Sequence, residues 1–210
     1  MVGRVPISGS KNAVLPILAA CLLTEEECRL KNVPRIEDVS TMARLLEGMG
    51  VQIRWIDPQQ LQVNAERLAR SEVLAAMAHR MRASLLLMGP LLARRGEARV
   101  PKPGGDDIGM RRVEQHLLGL RQMGARVELE GGEYLAHADR LKGATIHLDM
   151  PTVTGTENLM MAAATADGIT TIHNAAREPH VVDLAMFLGK MGARINGMAP
   201  MSCRSRASRS

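Results

Sequence analysis

The sequence predicts an α/β domain built from one unit of helix, strand, helix and β-hairpin that occurs three times, the third time incompletely. Three passages carry the prediction: "LLEGMGVQI" (Leu45 to Ile53), "LGLRQMGARV" (Leu118 to Val127) and "FLGKMGARI" (Phe187 to Ile195). Each is a helix end with apolar residues at helical spacing, a Met-Gly stop and a strand start. Their second glycines, Gly50, Gly124 and Gly192, lie 74 and 68 positions apart. Glycine directly after a helix supplies the left-handed position that residues with a β-carbon resist. Composition agrees: 46% of the 210 residues are apolar, but Trp55, Tyr134 and Phe187 are the sole aromatics, so Leu, Ile, Val, Ala and fifteen Met must build the core.

Each unit opens with a small-residue helix that has a polar start: "SGSKNAVLPILAACLL", "MRASLLLMGPLLAR" and "TGTENLMMAAATA". A short β-like run and a turn follow, in "CRLKNVPRIEDV", "ARVPKPGGDDIG" and "TTIHNAAREPHVVD". The first two units close with hairpins, "VQIRWIDPQQLQVNAERL" and "RVELEGGEYLAHADRL". Units that each need a neighbour to bury their apolar faces form one architecture. The reading is therefore a single domain over residues 1–197, with repeats at about 5–70, 71–143 and 144–197. The third hairpin starts at "ARINGMAP" and runs into "MSCRSRASRS", which shows no alternation. Residues 198–210 are read as a truncated or frame-shifted end, with a disordered basic tail as the alternative.

Twenty-seven Lys and Arg against twenty-two Asp and Glu leave a net charge of +5, which favours an anionic partner. The charge is spread along the chain, and rings for base stacking are nearly absent, so nucleic acid is not expected as a partner. The longest apolar run, Ala13 to Leu23, is too short to span a bilayer and contains Pro16; it reads as a buried helix, and no membrane partner is expected. Cys21, Cys28 and Cys203 show no CxxC spacing and no His at metal-ligand spacing. Neither a disulfide framework nor a metal site is expected, which fits a reducing, cytoplasmic setting.

Helix starts carry unpaired N–H groups and the positive end of the dipole, so three of them gathered by a threefold repeat would suit an anion. Lys11 and Asn12 stand at the first, where the bland alternative is a Ser10 cap and a solvated lysine. Arg82 stands at the second, where it could fork a phosphate or simply lie on the surface beside Arg80. "TVTGTEN" (Thr152 to Asn158) opens the third, and ordinary capping accounts for it. "GMRRVEQH" offers Arg111, Arg112, Glu114 and His116, with an Arg111–Glu114 ion pair on a solvated face as the structural alternative. In "REPHVVD" no nucleophile stands in a strained elbow; Glu178-Pro179 reads as a helix entry and His180 as a capping or surface residue.

Together, "SGSKNAVLPILAACLL", "KNVPRIEDV", "MRASLLLMGPLLAR", "PGGDDIGMR", "GLRQMGA", "RLKGA" and "NAAREPHVVDLA" resemble the enolpyruvyl transferases that act on UDP-N-acetylglucosamine at the first committed step of peptidoglycan synthesis. The resemblance runs from about Val5 to Gly197. It implies an inside-out α/β domain, one of two that flank a cleft, and this chain matches one of them; the second, which would supply the base, is not matched. The implied reaction adds the sugar 3′-hydroxyl to C2 of phosphoenolpyruvate, protonates C3 and eliminates phosphate. It calls for those two small-molecule substrates and no cofactor. The oligomeric state stays open.

Carried over by resemblance, Lys11 and Asn12 hold phosphoenolpyruvate and Arg82 contacts substrate. Arg111, Arg112, Val113, Glu114 and Gln115 line the nucleotide, as do Met150, Pro151, Thr152 and Val153. The family more often has Pro, Asp and Leu where this chain has Arg112, Glu114 and Gln115, and commonly Lys at Met150. The usual proton donor is a Cys after "PGG", where Asp106 stands. A carboxylic acid at its ordinary pKa of about 4 is ionised at neutral pH, so Asp106 would need desolvation or anionic ligands to raise it. Asp107 reads as a helix cap. Lacking that thiol, the enzyme is expected to be insensitive to fosfomycin. Two alternatives remain: a shikimate-pathway enolpyruvyl transferase and a non-catalytic nucleotide-sugar-binding half-domain with little or no turnover of its own.

Overall fold

The computed structural model describes residues 7–78, 81–102 and 113–197. The first unit begins with α1 (Lys11–Ala20), which continues as a 3-10 turn, Cys21–Leu23, then β1 (Cys28–Leu30) and α2 (Glu37–Gly48). The hairpin β2 (Gln52–Asp57) and β3 (Gln60–Asn64) completes an antiparallel sheet in the order β1-β3-β2. After the four-residue helix α3 (Ala75–Ala78), the second unit has a 3-10 segment, Arg82–Leu87, running into α4 (Met88–Arg95). Then come β4 (Glu97–Pro101), α5 (Glu114–Gln122) and the hairpin β5 (Arg126–Glu130) and β6 (Glu133–His137), again ordered β4-β6-β5. The third unit has β7 (Thr145–His147), α6 (Val153–Ala163), β8 (Thr171–His173) and α7 (Pro179–Lys190).

The Met-Gly stops end their helices as expected, and strands follow the first two; after the third, residues 193–197 form no strand, so the predicted start of a third hairpin is not realised. Gly50, Gly124 and Gly192 have φ of 99°, 94° and 102°, so each turns the chain through the left-handed region that ends a helix. Glu178-Pro179 is the entry to α7, with proline at its first position, where the missing N–H costs nothing.

The chain also contains strands that the sequence reading lacked. β7 pairs in parallel with β8, Thr145 opposite Thr171 and His147 opposite His173. Glu72 makes the equivalent parallel bridge to Arg99, flanked by Val73 N–H to the Arg99 carbonyl and Arg99 N–H to the Ser71 carbonyl, both 2.9 Å. Parallel neighbours need a crossover. α6 provides it in the third unit, and the 3-10 segment with α4 provides it in the second.

These crossover helices form the centre. α4 packs on α6, α6 on α5 and α7, and α1 on α2 and α7. Leu18, Leu22, Leu87, Met88, Leu91, Leu159 and Met161 are fully buried among them. The sheets lie outside, with β2 alternating exposed and half-buried positions. Helices in the middle and sheets at the periphery make the domain inside-out. Small residues permit the close helix contacts. A β-carbon on Gly89 would stand 2.4 Å from the Asn158 carbonyl and side-chain oxygens, and one on Gly119 would stand 2.5 Å from Leu159.

Candidate substrate site

Two of the segments singled out in the sequence meet in space. Val113 is the buried residue before α5, Glu114 its exposed first residue and Gln115 its buried second. The Gln115 amide donates to Asp149 Oδ2 at 2.9 Å and accepts from the Asp149 backbone N–H at 3.2 Å. This reciprocal pair fixes the start of α5 against the run Met150, Pro151, Thr152 and Val153. Met150 and Pro151 are exposed, whereas Thr152 caps α6 by accepting from the Gly155 N–H at 3.3 Å. The Gln115 side chain thus braces the two runs.

One residue further, His116 is fully buried and joined at both ring nitrogens. Asn158 Nδ2 lies 3.1 Å from Nδ1, and Thr154 Oγ1 lies 3.2 Å from Nε2. Asn158 Oδ1 accepts from Gly89 N–H at 2.6 Å, which makes its nitrogen the donor, and that nitrogen also reaches the Leu85 carbonyl at 3.2 Å. Nδ1 is therefore the acceptor, and the proton sits on Nε2, directed at Thr154. Burial, and secondarily the Arg82 guanidinium, push the His116 pKa down to about 3, so the ring is neutral. Arg82, first residue of the 3-10 segment, is half-buried. One polar cluster so ties together the Arg82 segment, α4, α5 and α6.

Lys11 and Asn12 are exposed at the start of α1, whose capping side chain is idle; the Ser10 carbonyl takes the Ala13 and Val14 N–H groups instead. Lys11 is not a freely solvated lysine: its Nζ pairs with Asp38 Oδ2, in the first turn of α2, at 2.7 Å. Pro16 lacks the N–H that would have bonded the Asn12 carbonyl.

Glu157, read in the sequence as part of a cap, is instead buried at 1% exposure, and its Oε1 has no hydrogen-bond partner. Burial, and secondarily the nearby Glu178 carboxylate, raise its pKa to about 8. It is a neutral carboxylic acid at pH 7. Pro151, Asn174, Ala175, Ala176, Arg177 and Glu178 line an open cavity of about 410 Å³. Asp106, Asp107, Arg111 and Arg112 lie outside the described residues, as does the 198–210 segment. Among the described residues no cluster of three or more His, Cys, Asp or Glu could hold a metal ion, and no helix is long and apolar enough to cross a membrane.

His116, Asn158 and Asp149 were missed as a unit because each contact spans more than thirty positions. "GTEN" looked like a helix start, and only the packing shows which of its side chains turn inward.

The fold is that of an α/β domain of the inside-out type. The EPSP synthase (3-phosphoshikimate 1-carboxyvinyltransferase) family profile matches residues 1–202, and the chain belongs to that family. It is 51% identical over 196 residues to the UDP-N-acetylglucosamine 1-carboxyvinyltransferase of Hydrogenovibrio crunogenus, covering 93% of this chain and 47% of the relative. The chain therefore spans about half the length of that relative. Its fold matches the enolpyruvyl transferase NikO from Streptomyces tendae with a TM-score of 0.80 at 24% identity, over 95% of this chain and 47% of that one. An EPSP synthase from Acinetobacter baumannii matches with a TM-score of 0.68 at 19% identity, over 86% and 42%.

Proposed function

We propose that this chain forms one wall of a cleft in which the enolpyruvyl group of phosphoenolpyruvate passes to the 3′-hydroxyl of UDP-N-acetylglucosamine, releasing phosphate and committing the sugar to peptidoglycan. The observation that carries the reading is the Gln115–Asp149 pair, which brings the 113–115 and 150–153 runs side by side, as a nucleotide spanning both would require. The 51% identity to a UDP-N-acetylglucosamine enzyme supports the choice of acceptor.

In this reading Lys11, Asn12 and Arg82 hold the phosphate of phosphoenolpyruvate. Arg111 to Gln115 and Met150 to Val153 flank the uridine nucleotide, with Gln115 acting as a brace and Met150 and Pro151 offering exposed surface. Asp106 delivers the proton to C3, its carboxyl kept protonated by the negative charge of the two substrates. Lys11 meets its anion by exchanging an exposed pair with Asp38, a pair worth about 0–1 kcal/mol. The neutral His116 leaves Arg82 without a competing cation.

Calorimetric titration with UDP-N-acetylglucosamine, run beside a phosphate-release assay, tests this. Saturable binding with a 1:1 end point is expected, and binding without release identifies the chain as a binding half-domain. No heat with UDP-N-acetylglucosamine but turnover of shikimate 3-phosphate would transfer the assignment to the shikimate enzyme, the second reading, which the family profile over residues 1–202 favours.

A further inference from the structure

The hydrogen bonds around His116 run in one direction, and they end at a hydroxyl with a hydrogen still to give. The Gly89 N–H donates to Asn158 Oδ1 at 2.6 Å, and the Asn158 amide uses its two hydrogens on the Leu85 carbonyl at 3.2 Å and on His116 Nδ1 at 3.1 Å. The His116 Nε2–H then donates to Thr154 Oγ1 at 3.2 Å. Asn158 and His116 are fully buried, and each of their side-chain polar atoms is matched. Thr154, the second residue of α6, is half-exposed and makes no second hydrogen bond among the described residues. A threonine within a helix ordinarily returns its hydroxyl to a carbonyl three or four residues back. For Thr154 those residues are Pro151 and Met150, which precede the helix, and no such bond forms. A hydroxyl has two lone pairs and one hydrogen, so accepting from His116 leaves the hydrogen available, and the incoming N–H polarises it into a better donor.

We infer that Thr154 contacts the nucleotide sugar, its hydroxyl donating to a diphosphate oxygen in a direction set by the Nε2–H of His116. The inference rests on the nucleotide-sugar reading of the site, in which Thr154 directly follows the Met150 to Val153 run that flanks the nucleotide. A hydrogen left over at a half-exposed atom calls for an acceptor, and phosphate oxygens accept without donating. Arg82 contributes charge of the matching sign: its guanidinium acts on the same imidazole that directs the hydroxyl. The tautomer decides which way the hydroxyl faces. With the proton on Nδ1, the ring would meet Asn158 Nδ2 donor against donor, and Nε2 would become an acceptor for the Thr154 hydrogen. Gly89 and Leu85 hold the Asn158 amide in the orientation that forbids this, and so the hydrogen stays available to a ligand. Neither nucleotide-lining run contains Thr154; the packing of α5 on α6 singles it out.

The test is calorimetric titration of the full chain with UDP-N-acetylglucosamine and with UDP, for the parent, Thr154→Val and Thr154→Ser, beside urea unfolding curves that check that each is folded at the titration temperature. Thr154→Val keeps the shape and loses the hydroxyl, so it should bind both ligands about tenfold more weakly, whereas Thr154→Ser should return to within about twofold of the parent. Thr154→Ala serves in place of Thr154→Val if the latter does not fold. The 15N resonances of His116 in the parent should show the proton on Nε2 and stay unchanged from pH 5 to 8. Three results overturn the inference while leaving the proposed reaction in place: Thr154→Val binding as tightly as the parent, Thr154→Ser binding as weakly as Thr154→Val, or a proton on Nδ1. A loss confined to UDP-N-acetylglucosamine puts the contact on the sugar and overturns it as well. A parent that binds neither ligand removes the nucleotide-sugar reading itself, and this inference with it.

Discussion

Replacing Glu157 by Gln should remove a pH dependence that the folded chain carries on its alkaline side. In the native state this carboxyl keeps its proton up to about pH 8, whereas in the unfolded chain it ionises near 4.5. Native protein therefore binds the extra proton across that interval, and stability falls as pH rises from about 4.5 to about 8. At about 1.4 kcal/mol per pH unit, the full displacement sets a ceiling of about 5 kcal/mol, and structural relaxation around the ionised group lowers it. His116 works in the opposite sense: native imidazole stays neutral down to about pH 3, so stability is lost as pH falls through the interval below 6.5. Where the two intervals overlap, between about 4.5 and 6.5, the proton differences cancel, giving a flat top with a falling limb on each side. Urea unfolding at half-unit steps from pH 4 to 9 measures this. The neutral amide of Glu157→Gln should flatten the limb between 6.5 and 8 and, with the cancellation gone, extend the acid limb up to about 6.5. Parent and variant losing stability in parallel over the alkaline limb would refute the claim that Glu157 is buried as the acid.

Other perturbations read different parts of the site. Gly89→Ala improves helix propensity but should still destabilise by about 1–3 kcal/mol, because the new methyl would meet two Asn158 oxygens at 2.4 Å; urea midpoints decide the sign. Asn158→Leu strands the Gly89 N–H and one His116 nitrogen without partners, and should cost about 2–4 kcal/mol in the same assay. Asp38→Asn should alter phosphoenolpyruvate affinity by less than about fivefold, since an exposed ion pair is worth about 0–1 kcal/mol, while Lys11→Ala should weaken it by more than tenfold in fluorescence titration. Intact mass after fosfomycin treatment should show no adduct on the parent and one on Asp106→Cys, which supplies the missing thiol.

Much of the fold was legible because its signals are local. The Met-Gly stops, the hairpin alternation and the Glu178-Pro179 entry each state their meaning within a few residues, and each is realised. The strand β7 and the run around Glu72 were not legible. They are about three residues long and are strands only because a crossover helix returns the chain to their side. Side-chain roles at the helix starts divided in the same way. Capping looked equally available to Ser10 and Thr152, but only Thr152 makes the bond, and Lys11, outwardly a solvated lysine, is tied to the next helix.

The buried polar groups show how an apolar helical centre is held in register. Asn158 answers a backbone N–H from α4, a carbonyl from the Arg82 segment and an imidazole from α5, so the three crossings are keyed to one register. A wholly apolar centre of Leu, Met and Ala would allow those helices to slide, because dispersion contacts are individually weak and poorly directional. Hydrogen bonds in a dry interior are costly to leave unmade, so displacement of any one helix breaks several at once. The key works only while its members are uncharged: protonated His116 would face Arg82, and ionised Glu157 would face Glu178.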